Sequence, residues 1–149
     1  MTDPVQTAND CFAQGLNCAQ AVLSAFAVQF GISEETALRL ASPFGGGIAR
    51  QGQVCGALTG ALMALGLHSG NSTPQGKEET YLISEEFVRT FQKRYGAILC
   101  RELIGYDIST PEGLQAAREK KIFAEICPTV VSGTTEMVEK FLEETPRGE

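Results

Sequence analysis

Apolar residues recur along most of the chain at the three- and four-residue spacing of a helix that buries one face. Val5, Ala8 and Phe12 predict a first short helix that ends near Gly15. Asn17 followed by Gln20 reads as a capping box, with Cys18 at the first helical position. Val22, Leu23, Phe26 and Phe30 form the buried face of that helix, and Gly31 ends it. Ser33 can cap a third helix, in which Glu34 and Glu35 suit the positive end and which Pro43 closes. Phe44-Gly45-Gly46-Gly47-Ile48 reads as a loop, because three glycines are costly in any regular element.

From about Gln51 to Leu67 the chain is apolar on nearly every side, the mark of a buried helix. Gly52, Gly56 and Gly60 recur every fourth residue there and predict one bare ridge, where a backbone or a cofactor can come close. His68 to Gly76 is polar and reads as a loop. Lys77 to Tyr95 is strongly amphipathic, with Tyr81, Leu82, Phe87, Val88 and Phe91 as its expected core face and Gly96 as its stop. Cys100 to Ile104 predicts a short helical turn, joined by Gly105 to Ser109 to a helix that starts at Thr110-Pro111 and ends near Ile126. Cys127 and Pro128 then read as the cap and first position of a last helix, with Val130, Val131, Met137, Val138, Phe141 and Leu142 as its apolar stripe. No run alternates in the manner of a strand. The expected fold is all-α, one helical bundle over residues 1–149 built around the Val54–Leu67 helix.

Composition narrows the function classes. At 43% hydrophobic and 20% charged residues, the chain can bury a real core. A net charge of -6 argues against a nucleic-acid surface, which needs clustered Lys and Arg. Val54 to Leu67, the longest largely apolar run, is shorter than the roughly 20 residues a membrane span needs, so an integral membrane protein is not expected. Met1-Thr2-Asp3-Pro4 lacks the basic and apolar regions of a leader, and a cytoplasmic location is expected. In that compartment several cysteines point to metal binding or redox chemistry rather than to structural disulfides.

Four of the five cysteines, Cys18, Cys55, Cys100 and Cys127, stand beside a helix-start or glycine signal. The field of a helix N-terminus favours thiolate, the form that attacks disulfides or binds metal. Their spacing contains no C-x-x-C pair, which removes the usual zinc-ribbon and thioredoxin patterns. Burial as small hydrophobes is the plain alternative for any one of them. Two sulfur mechanisms fit the set. In one, the four thiolates ligate an iron–sulfur cluster or other metal. In the other, two cysteines form a reversible dithiol with Cys55 as first candidate nucleophile, while Gly56 and Gly60 leave space for a partner or cofactor. Gly45-Gly46-Gly47 can also cradle an anion, with Arg50 beside it, although a tight connection against the buried helix is the simpler reading. His68, the only histidine, fits a helix C-terminal cap better than a metal ligand or proton carrier. Glu78, Glu79, Glu85 and Glu86 read as a solvated face.

Cys18, the block Cys55-Gly56-Ala57-x-x-Gly60, Cys100 and Cys127 resemble the pattern of the C_GCAxxG_C_C family, small redox-active proteins with four characteristic cysteines. The likeness runs from about Cys11 to Leu142; Phe44-Gly45-Gly46-Gly47 and Gly66-Leu67 share it, and Cys11 falls outside the pattern. The resemblance implies a cysteine-based redox protein, an electron carrier or thiol–disulfide oxidoreductase with an unknown redox partner. It also implies, by gene neighbourhood alone, an association with a transport system. The rival expectation is a noncatalytic binding or transport-accessory module with a structural metal, and a homo-oligomer is compatible with either.

Overall fold

Helix capping by short polar side chains sets most element boundaries in the computed structural model, which describes residues 3–148. Among those residues the chain forms α1 (Pro4–Ala13), α2 (Cys18–Ala27), α3 (Glu34–Ala41), α4 (Gly56–Ser69), α5 (Lys77–Tyr95), α6 (Cys100–Ile104), α7 (Pro111–Glu119) and α8 (Ile122–Glu144). The one extended pairing is an isolated antiparallel bridge between Val54 and Leu99. The fold is all-α, as the periodicity predicts, and among the described residues no helix is long and apolar enough to cross a membrane. Met1 and Thr2, part of the segment read as lacking a leader, lie outside the described residues.

The caps are the expected ones. Asp3, Ser33 and Thr110 accept backbone N–H groups at the starts of α1, α3 and α7. Asn17 and Gln20 form a complete capping box: Gln20 N–H donates to Asn17 Oδ1, and Asn17 N–H donates to Gln20 Oε1, both at 2.9 Å. Gly96 adopts φ 85° to close α5.

Helix α2 packs against α1, α3, α4 and α8, so the centre of the bundle is the α2–α4 pair rather than α4 alone. Val22, Phe26, Leu58, Phe87, Phe91, Val131 and Val138 are essentially inaccessible and fill the main core. Phe87 meets Phe141 edge-on at 4.9 Å between ring centroids, a favoured aromatic geometry. A smaller cluster of Cys100, Ile104, Ile108 and Ala117 joins α6, α7 and the first turns of α8.

Three expectations fail in instructive ways. Tyr81 and Leu82 are 60% and 67% exposed; the core row on α5 is Ile83, Phe87, Phe91 and Tyr95, at four-residue spacing, and Tyr81 and Leu82 fall off it. Gly52 is not on the helix. It sits in a turn at φ 71°, and α4 begins only at Gly56 and runs through His68 to Ser69, so the glycine ridge consists of Gly56 and Gly60. The break expected at Cys127-Pro128 lies at Lys121 instead, which takes φ 54°, and α8 runs through Pro128 without interruption. Proline inside a helix costs about 3 kcal/mol. Burial on both sides opposes that cost: Ile122, Phe123 and Ile126 pack on the smaller cluster, and Val130, Val131 and Val138 on the main core.

The glycine ridge sets the α2–α4 separation. A Cβ on Gly60 would lie 2.6 Å from the Ala19 carbonyl oxygen, and one on Gly56 2.7 Å from Cys18 Sγ. Gly60→Ala should therefore destabilise the protein by about 1–3 kcal/mol, although helix propensity alone predicts a gain of about 1 kcal/mol. Urea unfolding of the variant measures the sign.

Candidate functional site

Cys18, Cys55, Cys100 and Cys127 all border one cavity of about 570 Å³. Its walls come from α1, α2, α4, α6, α7, α8 and the Ser42–Arg50 loop, so it lies where the main core meets the smaller cluster. Its volume suits a small molecule.

Local structure delivers each sulfur. Cys18 is the first residue of α2, held there by the Asn17–Gln20 box. The Asn17 amide also donates to the Ser42 carbonyl, which ties the helix start to the end of α3. Cys55 is the N-cap of α4, and its N–H donates to the Ile98 carbonyl at 2.8 Å. Cys100 opens α6, and its N–H donates to the Gln53 carbonyl at 2.6 Å. Those two bonds flank the Val54–Leu99 bridge and join the segments that carry Cys55 and Cys100. Gly47 packs closely against Cys100: a Cβ there would lie 2.7 Å from the Cβ of Cys100. Cys127 sits inside α8 rather than at a helix start, so no helix terminus acts on it.

The four thiols are electrostatically unequal. The pKa of Cys18 is lowered: the Cys55 thiol donates to its sulfur, and the backbone N–H groups of Ala57, Cys18 and Ala19 add to this, while burial opposes. Those N–H groups belong to the first turns of α2 and α4, so two helix N-termini converge on one sulfur. Cys55 is held well above the ordinary thiol value, first by donating to Cys18, then by burial and by the Cys18 charge. Burial, followed by the nearby Cys18 charge, pushes Cys100 up to about 11. Burial, then the charges of Cys18 and Cys100, pushes Cys127 up to about 12. Of the four thiols, Cys18 is thus the one whose thiolate its surroundings favour, with the Cys55 thiol beside it. The sequence put Cys55 first because Gly56 and Gly60 leave space beside it. The difference arises first from the interaction between the two thiols, which favours the charge on Cys18; Cys55 receives N–H groups from Ala57 and Leu58 of α4 alone, whereas Cys18 receives them from both helices.

The remaining candidates separate from this centre. Gly56 borders the cavity, while Gly60 faces the α2 backbone at Ala19. Cys11 is buried in α1 with its pKa raised by burial, and it does not line the cavity. His68 lies in the last turn of α4, where its Nε2 is 3.1 Å from the Thr145 carbonyl oxygen and its ring meets Phe30. Glu85 pairs with the exposed Arg89, an arrangement worth little. Among the described residues no group of three or more His, Cys, Asp or Glu side chains is gathered tightly enough to hold a metal ion. Cys18 and Cys55 are the pair whose thiols act most strongly on each other.

Sequence reasoning missed the cavity's apolar walls, including Phe12, Leu16 and Phe123, and it missed Arg118. The walls carry the same spacing as any core face, so nothing marked them as lining a space. Arg118 belongs to no motif in the sequence, and the structure places it in the last turn of α7.

Alkylation of Cys18 should rise through a midpoint below that of a free thiol, because thiolate is the reactive form and its pKa is lowered. Cys55→Ala removes the largest stabilising donor and should move that midpoint upward. Iodoacetamide rates against pH, with Cys18 followed by peptide mass mapping, report both shifts.

Residues 16–141 match a family model described as "Putative redox-active protein (C_GCAxxG_C_C)". No curated protein and no solved structure matches the chain.

Proposed function

Because this chain belongs to the C_GCAxxG_C_C family, described as redox-active, we propose that Cys18 and Cys55 form a reversible dithiol–disulfide couple. The observation that carries this reading is the Cys55 thiol donating to a Cys18 sulfur whose pKa is lowered. A nucleophilic thiolate beside a protonated thiol is the arrangement that two-step thiol–disulfide exchange needs.

In the reducing direction, the Cys18 thiolate attacks one sulfur of a substrate disulfide. The substrate S–S bond breaks, a Cys18 mixed disulfide forms, and the first substrate thiolate leaves and takes a proton. Cys55 then loses its proton, and its thiolate attacks the Cys18 sulfur. The second substrate thiolate leaves and is protonated. Two electrons have passed from the protein to the substrate, one proton has come from Cys55 and the other from solvent because Cys18 starts as thiolate, and Cys18 and Cys55 are joined by a disulfide.

The Cys55 thiol and the helix-start N–H groups favour the thiolate form of Cys18 in the reduced protein. They also favour the reduced form and make the couple more oxidising, because a stabilised thiolate is harder to consume. Cys100 and Cys127, with raised pKa values, stay protonated beside the couple and serve as wall groups rather than as nucleophiles.

Cys18→Ser should abolish exchange with a disulfide reagent. Cys55→Ser should stop at a stable mixed disulfide on Cys18. Intact-mass analysis after oxidation separates the two, and the wild type should lose two hydrogens with no adduct retained. Retention of the two-hydrogen loss in Cys18→Ser would reject the couple.

A further inference from the structure

Of the 23 residues around the cavity none is Asp or Glu, while Arg50 and Arg118 both stand there. The chain as a whole carries a net charge of -6, so this is a local reversal. Both arginines are exposed. The one ion pair among the described residues is Arg89 with Glu85, so neither cavity arginine is neutralised by a carboxylate. Arg50 is held in place at a cost. Gly46, Gly47, Ile48, Ala49 and Arg50 all take positive φ, from 50° to 71°, and make a left-handed turn. For residues with a Cβ this conformation costs roughly 1–2 kcal/mol each. Hydrogen bonds from Arg50 N–H to the Gly45 carbonyl and from Gln53 N–H to the Gly47 carbonyl close the turn. The remainder of the wall is largely apolar, and Cys55 and Cys100 are only 8% and 9% exposed. Cys18, the attacking sulfur, is half-buried and lines the same cavity, so a group that enters the cavity reaches it.

Resting on the couple proposed above, we infer that its substrate is a low-molecular-weight organic disulfide bearing carboxylate groups. The cavity admits the small disulfide to Cys18, and Arg50 and Arg118 bind its carboxylates by charge-assisted hydrogen bonds. Substrate S–S cleavage and Cys18–Cys55 bond formation follow the two exchange steps already given. The entering disulfide is the oxidant, and its two halves leave as thiols.

Reduced protein is mixed with dithiodipropionate, a dianionic small disulfide, or with hydroxyethyl disulfide, its neutral counterpart, and Cys18–Cys55 formation is timed by acid quench and mass. The rate ratio between the two reagents is compared with the ratio given by dithiothreitol, which has no binding site. The wild type should favour the dianion about tenfold more than dithiothreitol does, and added salt should shrink the preference. Arg50→Gln with Arg118→Gln should remove it, and the paired lysine variants should keep most of it. Circular dichroism confirms that each variant is folded. A wild-type ratio no higher than that of dithiothreitol, or a ratio unchanged in the double Gln variant, overturns the substrate class. Oxidation by insulin disulfides but by neither small reagent also overturns it and leaves the couple standing with a protein as substrate. Failure of every disulfide to join Cys18 and Cys55 overturns the couple itself.

Discussion

The closeness of α2 and α4 is the constraint on which the rest of the molecule depends. Gly60 lies against the Ala19 carbonyl, and Gly56 leaves room for the Cys18 sulfur and the Phe44 carbonyl. Without side chains at these two positions, the two helix starts meet. N–H groups from both starts then reach the Cys18 sulfur, and the same contact places the Cys55 thiol beside it. Packing and chemistry share one cause here, since the glycines that let the helices touch also let the two thiols touch.

Around that contact the chain spends local conformational energy to shape a space. The left-handed turn at Gly46–Arg50 and the Val54–Leu99 bridge hold the loop wall against α6. Pro128 remains inside α8 because the helix must bury apolar residues on both sides of it. Strain of this kind persists where surrounding packing over-determines the backbone. The result is a cavity between two apolar clusters, with sulfur inside and positive charge at its border.

The four thiols that share one cavity are electrostatically unequal. A thiolate at Cys18 raises the cost of a second negative charge at Cys55, Cys100 or Cys127. One charge is therefore stabilised, and its neighbours remain protonated until that charge is consumed. In thiol–disulfide exchange this is the order of events required, since Cys55 can ionise more easily once the Cys18 sulfur is bound in a disulfide.

Local rules made much of this legible in the sequence. The all-α class, the Asn17–Gln20 box with Cys18 at the first helical position, the Thr110–Pro111 start and the Gly96 stop all follow from neighbouring residues, and each is realised. The close approach at Gly56 and Gly60 was also legible, because four-residue spacing puts both on one helix face. Its occupant was not. Only tertiary structure placed the α2 backbone there, gave the lowered pKa to Cys18 rather than Cys55, and moved the last helix break from Cys127 to Lys121. The reason is physical. Caps and periodicity act over one helical turn, whereas the state of a buried thiol depends on donors from segments far apart in the chain. Whether a proline breaks a helix depends likewise on what that helix buries on either side of it.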